Sequence, residues 1–182
     1  MQEELRDVPV DMLSYIESPA RVIPPFSLSS INQSALTNQW LENKWTFVYF
    51  SHSHCLPNCQ LALEKIRYLQ SAFANNNFQF LVIGIDSQYD TADSLSQFLS
   101  LQQIESTVVT GPEPEIEGLA KTFIALFLKT NFTDGSYQIE QEHHLFLVDP
   151  KGRVYATFRP PYSNTDIQSQ FLKLRQFYAR SE

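Results

Sequence analysis

The sequence predicts an α/β domain with a central mixed sheet flanked by helices, and three observations predict it. Two apolar runs, Trp45 to Phe50 and Phe78 to Asp86, carry β-branched and aromatic residues at both parities, as strands buried on both faces do. Between and after them apolar residues recur at spacings of three and four, the period of a helix that buries one face. The alternation of the two patterns is that of βαβ units, which build a largely parallel sheet.

Residues 1–25 carry Pro9, Pro19 and the Pro24-Pro25 pair among Asp and Glu, which suits an extended N-terminal arm; residues 26–182 then form one domain. Phe26 to Leu28 reads as a short edge strand, and Leu36 to Asn43 as a helical turn or loop. Trp45 to Phe50 is the first central strand. After Pro57, the positions Ala62, Leu63, Ile66, Leu69 and Phe73 define one helical face that ends near Asn75 to Asn77. Phe78 to Asp86 is the second central strand, Thr91 to Leu101 a helix, Ser106 to Val109 a short third strand, and Glu113 to Leu126 again helix-periodic. Asn131 to Gly135 is a polar interruption. His144 to Val148, the turn at Asp149 to Gly152, and Val154 to Phe158 form a β-hairpin, and Ile167, Phe171, Leu174 and Tyr178 share a face of a closing helix that begins after Asn164 or Asp166. The layout β-α-β-α-β-α-β-β-α is a thioredoxin-like fold with extra early elements.

Composition supports a packed interior. Hydrophobic residues make up 43% of the 182-residue chain, with 14 Phe and 8 Tyr. A net charge of −7 without any basic run argues against a nucleic-acid or anionic-membrane partner, which would need clustered Lys and Arg. No stretch approaches the roughly 20 apolar residues that span a bilayer, and the N-terminal run through Asp11 is polar and acidic, so the chain as it stands is expected to be soluble.

The 2 cysteines lie four residues apart, which is the pattern of a site and not of a disulfide scaffold. Cys55 and Cys59 stand where a strand hands over to a helix. There the unpaired amides and the positive end of the helix dipole stabilise a thiolate. If Pro57 opens the helix, Cys55 sits just before it and Cys59 within its first turn, so the two sulfurs can bond to each other or converge on one ligand. Thiolates select Cu(I), Zn or an exchange partner, and imidazole is the usual further ligand for copper or zinc. The 4 histidines fall in two groups, His52 with His54 and His143 with His144. The bland alternatives are two inert core cysteines and hydrogen-bonded structural histidines, with Glu140 and Glu142 as solvated strand-edge charges.

Ser53-His54-Cys55-Leu56-Pro57-Asn58-Cys59-Gln60 resembles the T-H-C-P-x-x-C-P-like element of the Sco/SenC family, thioredoxin-fold proteins implicated in delivering copper to the CuA centre of cytochrome c oxidase. Further ordered similarity lies in Ile85-Asp86, Asp134 to Tyr137, Leu147 to Arg153 and Phe158 to Pro161, and it covers about residues 24–178. The sequence departs from the family pattern at Leu56 and Gln60, where the family has Pro. It departs also at Gln141, which stands nine residues before Pro150, where the family's metal-binding His usually lies. His143, two residues on, shares the face of Gln141 in a regular strand, whereas His144 points the other way.

The resemblance implies a copper-binding assembly factor with Cys55, Cys59 and His143 as metal ligands. It implies copper as cargo, the oxidase subunit carrying CuA or another periplasmic thiol protein as partner, and a periplasmic setting with a membrane anchor outside this sequence. The residues leave two alternatives open. One is a thiol-disulfide oxidoreductase in which Cys55 attacks and Cys59 resolves, the other a redox sensor in which a thiol is oxidised to sulfenic acid and condenses with its neighbour.

Overall fold

The computed structural model describes residues 7–74, 77–162 and 167–182. All seven residues of Trp45–Ser51 are buried, Thr46 and Ser51 among them, and this strand lies inside a six-stranded sheet. In chain order the strands are β1 (Ile16–Val22), β2 (Ser27–Ser29), β3 (Ala35–Thr37), β4 (Trp45–Ser51), β5 (Phe78–Gly84), β6 (Thr107–Val109), β7 (Phe127–Asn131), β8 (Tyr137–Gln141), β9 (Leu145–Val148) and β10 (Arg153–Phe158). The helices are α1 (Gln60–Ala72), α2 (Ala92–Leu101), α3 (Glu113–Phe123) and α4 (Ile167–Ser181). The sheet order is β1-β10-β9-β4-β5-β6. β4, β5 and β6 are parallel neighbours, while β9 runs antiparallel to β4 and β10 to β9. The sheet is therefore mixed and thioredoxin-like, and less parallel than the βαβ alternation alone predicts, because the β9–β10 hairpin inserts beside β4.

Strand alternation sorts the core into two layers. Phe47, Tyr49 and Val82 face a cluster with α1, α2 and α4, through Leu63, Leu69, Leu95, Phe171 and Leu174. Val48, Phe50, Leu81 and Ile83 face a second cluster with Ile116, Leu119 and Phe123 of α3. Each such fully buried side chain contributes about 1.5–3 kcal/mol. α2 is closed at its start by a capping box, Thr91 accepting from the Ser94 amide while Ser94 accepts from that of Thr91. α3 stops at Ile124, whose φ of 57° places it in the left-handed region.

Three elements differ from the sequence expectation. Residues 16–22, expected in the arm over 1–25, form β1 and pair with β10; the pairing is interrupted between Ile16 and Arg21, and Pro19 falls within that bulge. The polar Glu17 and Arg21 hid the strand, yet Arg21 donates to the carbonyls of Thr122 (2.7 Å) and Phe123 (3.0 Å), satisfying the last turn of α3. Leu36 to Asn43 divides into β3, which pairs β2 in a separate small sheet, and a 3₁₀ turn at Asn38–Leu41. The interruption at 131–135 is the tip of a hairpin, β7–β8, with Gly135 at φ 89°. The first long helix, expected to end near Asn75 to Asn77, ends at Ala72; the expected start of the closing helix after Asn164 or Asp166 lies outside the described residues, and α4 itself buries Ile167, Phe171, Leu174 and Phe177. Among the described residues, no helix is long and apolar enough to cross a membrane.

Candidate functional site

The chain leaves β4 at Ser51 and reaches α1 through a turn that carries both cysteines. The Cys59 amide donates to the Cys55 carbonyl (3.1 Å) and the Gln60 amide to that of Pro57 (3.1 Å), and the helical ladder opens with Leu63 donating to Cys59 (2.9 Å). This corrects the expectation that Pro57 opens the helix. These closures keep Pro57, preceded by a cis peptide bond, in the turn, so that α1 starts at Gln60 and Cys59 is its N-cap. Both sulfurs still stand at the positive end of α1. They form a disulfide across a Cα separation of 5.4 Å.

The opposite wall comes from β8 and the three residues after it. Tyr137 donates to Asp86 (2.5 Å) at the end of β5, and Lys129 of β7 lies 3.7 Å from the same carboxylate. These contacts pin the hairpin over the end of the sheet. The Gln141 amide donates to the Phe50 carbonyl (2.7 Å), drawing the end of β8 onto β4. Residues 142–144 are not strand, so the regular alternation assumed for Gln141, His143 and His144 ends at Gln141.

Between the two walls lies a cavity of roughly 380 Å³ whose lining includes Cys55, His52, His54, Gln141 and His143. Cys59 does not line it: Cys55 is 4% exposed and Cys59 0%. Of the predicted site residues, the fold thus brings Cys55 and His143 to one space and places Cys59 behind Cys55. His143 is held at both ends, its Nδ1 lying 2.7 Å from the Tyr49 hydroxyl and its carbonyl accepting from the Tyr162 hydroxyl. His144 is turned away and lies 3.1 Å from Glu142. His54 is exposed against the Tyr89 ring, with centroids 4.4 Å apart. His52 is 5% exposed, and its Nδ1 has no hydrogen-bond partner among the described residues.

Burial governs the electrostatics. It pushes the His143 imidazole below the ordinary histidine value, with His144 adding to the effect. It does the same to His52, opposed by the Asp86 and Asp90 carboxylates. Burial also raises the Tyr49 and Tyr162 phenols, which therefore stay protonated donors. Tyr137 is pushed up to about 12, first by its hydrogen bond to Asp86 and then by burial. A raised phenol contributes stability in full below its unfolded value near 10 and loses it as pH rises through about 12. Followed by tyrosinate absorbance, one of the late-titrating phenols is expected to move to lower pH in Asp86→Asn; an unchanged titration would remove this anchor from the hairpin.

Sequence reasoning missed Tyr49, Ser51 and Tyr162. Tyr49 lies in an apolar run that gives its hydroxyl no signature, and only Ser51, a lone small polar residue after that run, offered a signal. Ser51 donates to the Cys55 sulfur at 3.7 Å. Two thiols on one turn and an imidazole in the same cavity suit a soft ion after reduction. As the site stands, no three His, Cys, Asp or Glu side chains form a metal cluster among the described residues.

Comparison with known proteins agrees with this architecture. The chain is 25% identical over 151 residues to a "putative copper-binding protein" of Stutzerimonas stutzeri, covering 81% of this chain and 74% of that one. It spans about half of two mitochondrial relatives, 47% of an Arabidopsis thaliana SCO1 homolog and 51% of the Saccharomyces cerevisiae protein SCO2. Arabidopsis thaliana ScoI, solved with copper bound, superposes with a TM-score of 0.73 at 20% identity, over 84% of this chain and 97% of that one. BsSco, described with a disulfide switch as a member of the Sco family of cytochrome c oxidase assembly proteins, superposes at 0.68 with 17% identity, over 89% and 96%. The model of the SCO1/SenC family matches residues 15–176, and the chain belongs to that family.

Proposed function

We propose that this protein takes up Cu(I) as cargo for cytochrome c oxidase assembly, with Cys55 and Cys59 as thiolate ligands after reduction of their disulfide and His143 as the third ligand. The observation that carries the reading is the meeting of Cys55 and His143 in one cavity at the start of α1. Thiolates match the softness of Cu(I), and the positive helix end favours their deprotonated form. An ion held where Cys55 reaches the cavity is open to ligand exchange with a partner's thiols, which suits delivery to the CuA-bearing subunit in the periplasm by a membrane-tethered protein. The copper named for the relatives and the family membership support this reading.

The test is an anaerobic Cu(I) titration of reduced protein against a competing chelator, with wild type beside His143→Ala. One-to-one binding that the substitution weakens supports the reading. Absence of competitive binding overturns it and leaves the second one.

That second reading is thiol-disulfide exchange, favoured by the formed disulfide and by Gln141 at the position of the family His. The Cys55 thiolate attacks a partner disulfide and releases one partner thiolate. Cys59 then attacks the Cys55 sulfur and releases the second, so the partner is reduced and the Cys55–Cys59 disulfide forms. A Gln141→His substitution separates the two readings. Under copper binding it adds an imidazole to the cavity and raises Cu(I) affinity about tenfold, ~1.4 kcal/mol. Loss of the bond to Phe50 lowers stability by about 1 kcal/mol. Unchanged affinity alongside that stability loss would count against a third ligand from this wall.

A further inference from the structure

We propose that Tyr49 is a positioning residue that holds Nδ1 of His143 and thereby selects Nε2 as the ligating atom. The inference rests on the reading of His143 as a copper ligand. The Tyr49 hydroxyl lies 2.7 Å from His143 Nδ1. Tyr49 is buried.

The direction of this hydrogen bond decides what the imidazole can do. A neutral imidazole carries one ring proton. With that proton on Nδ1, His143 donates to the Tyr49 oxygen, and the lone pair of Nε2 is free. With the bond reversed, the phenol donates to Nδ1, the ring proton sits on Nε2, and that nitrogen cannot ligate. A cation at Nε2 takes that lone pair, so metal binding selects the first direction, with Tyr49 as acceptor. Nε2 has no hydrogen-bond partner among the described residues and is not among the buried unpartnered atoms, which leaves it open to the cavity that His143 lines. Gln141 is committed elsewhere by its bond to Phe50.

The experiment pairs Tyr49→Phe with His143→Ala in the full chain. Cu(I) affinity of the reduced protein is read by chelator competition, and melting temperature confirms folding. Tyr49→Phe is expected to weaken Cu(I) binding about 10–100-fold, as loss of a partner behind a metal ligand does, and to have no further effect once His143 is Ala. Additive losses, or a folded Tyr49→Phe protein with wild-type affinity, would overturn the assignment and leave His143 as ligand intact. A His143→Ala protein with wild-type affinity would overturn the copper-ligand reading itself and this inference with it. Ring ¹⁵N resonances of His143 in reduced, Cu(I)-loaded wild type give the answer without a variant. A protonated Nδ1 with the metal on Nε2 is the expected state, and a metal-bound Nδ1 or an unperturbed ring sinks the proposal.

Discussion

Cys55→Ser and Cys59→Ser are each expected to lower Cu(I) affinity by more than ~100-fold, exceeding the cost of losing a residue that merely supports a ligand. Serine keeps nearly the size of the side chain but offers a hard oxygen that stays protonated at neutral pH, so the soft ion loses one of its two sulfur donors. The two variants differ in another respect. Cys55 borders the cavity, whereas Cys59 is fully buried, so a hydroxyl at 59 is further from water and costs more stability unless it finds a partner. Chelator competition on both variants, each checked for a cooperative melt, measures the effect. Tight binding that survives both substitutions would remove the cysteine pair from the site.

Phe171→Ala is expected to cost about 3–5 kcal/mol, the range for deleting a fully buried aromatic ring. Phe171 is 0% exposed and lies with ring centroids 5.3 Å from Trp45, 5.4 Å from Phe73 and 4.8 Å from Phe78. It therefore ties α4 to the start of β4, to the start of β5 and to the end of α1 at once. For a chain of this size the loss corresponds to roughly 6–20 °C in melting temperature, measured by denaturant or thermal unfolding under conditions that keep the disulfide closed. A loss below ~1 kcal/mol would mean that α4 is not integral to the folded unit.

The two predictions draw on parts of the protein that were unequally legible. The central strands, the four helices and the β9–β10 hairpin follow from periodicity, because β4 and β5 are apolar on both faces apart from Thr46, Ser51 and Gln79. β1 escaped notice since an edge strand with a bulge tolerates Pro19 and the polar Glu17 and Arg21, whose partners on Thr157, Thr122 and Phe123 lie far away in sequence. β7–β8 was detectable from Asp134-Gly135 between two alternating segments, but its stretches of five residues, half exposed, gave a weak signal. Cys55 and Cys59 announced themselves by spacing. What spacing did not contain is the way Tyr49 and Tyr162 hold His143, since a hydrogen bond between residues 94 positions apart depends on how the turn at 142–144 closes over β4.

The edges of the sheet limit how another protein can approach it. On one side β1 interrupts its own pairing at the Pro19 bulge. On the other, β6 is three residues long, and the position after it, Thr110, is already bridged to Ser29 through a pair of backbone hydrogen bonds of 2.9 and 2.8 Å. Neither margin offers the long, regular row of free amides and carbonyls that an incoming extended peptide needs to dock as an extra strand. Under the proposed copper transfer, a partner would meet side chains at the loop end of the molecule, where the Cys55 turn and the β8–β9 connection meet. The six-stranded sheet would supply rigidity to that encounter and no main-chain handhold.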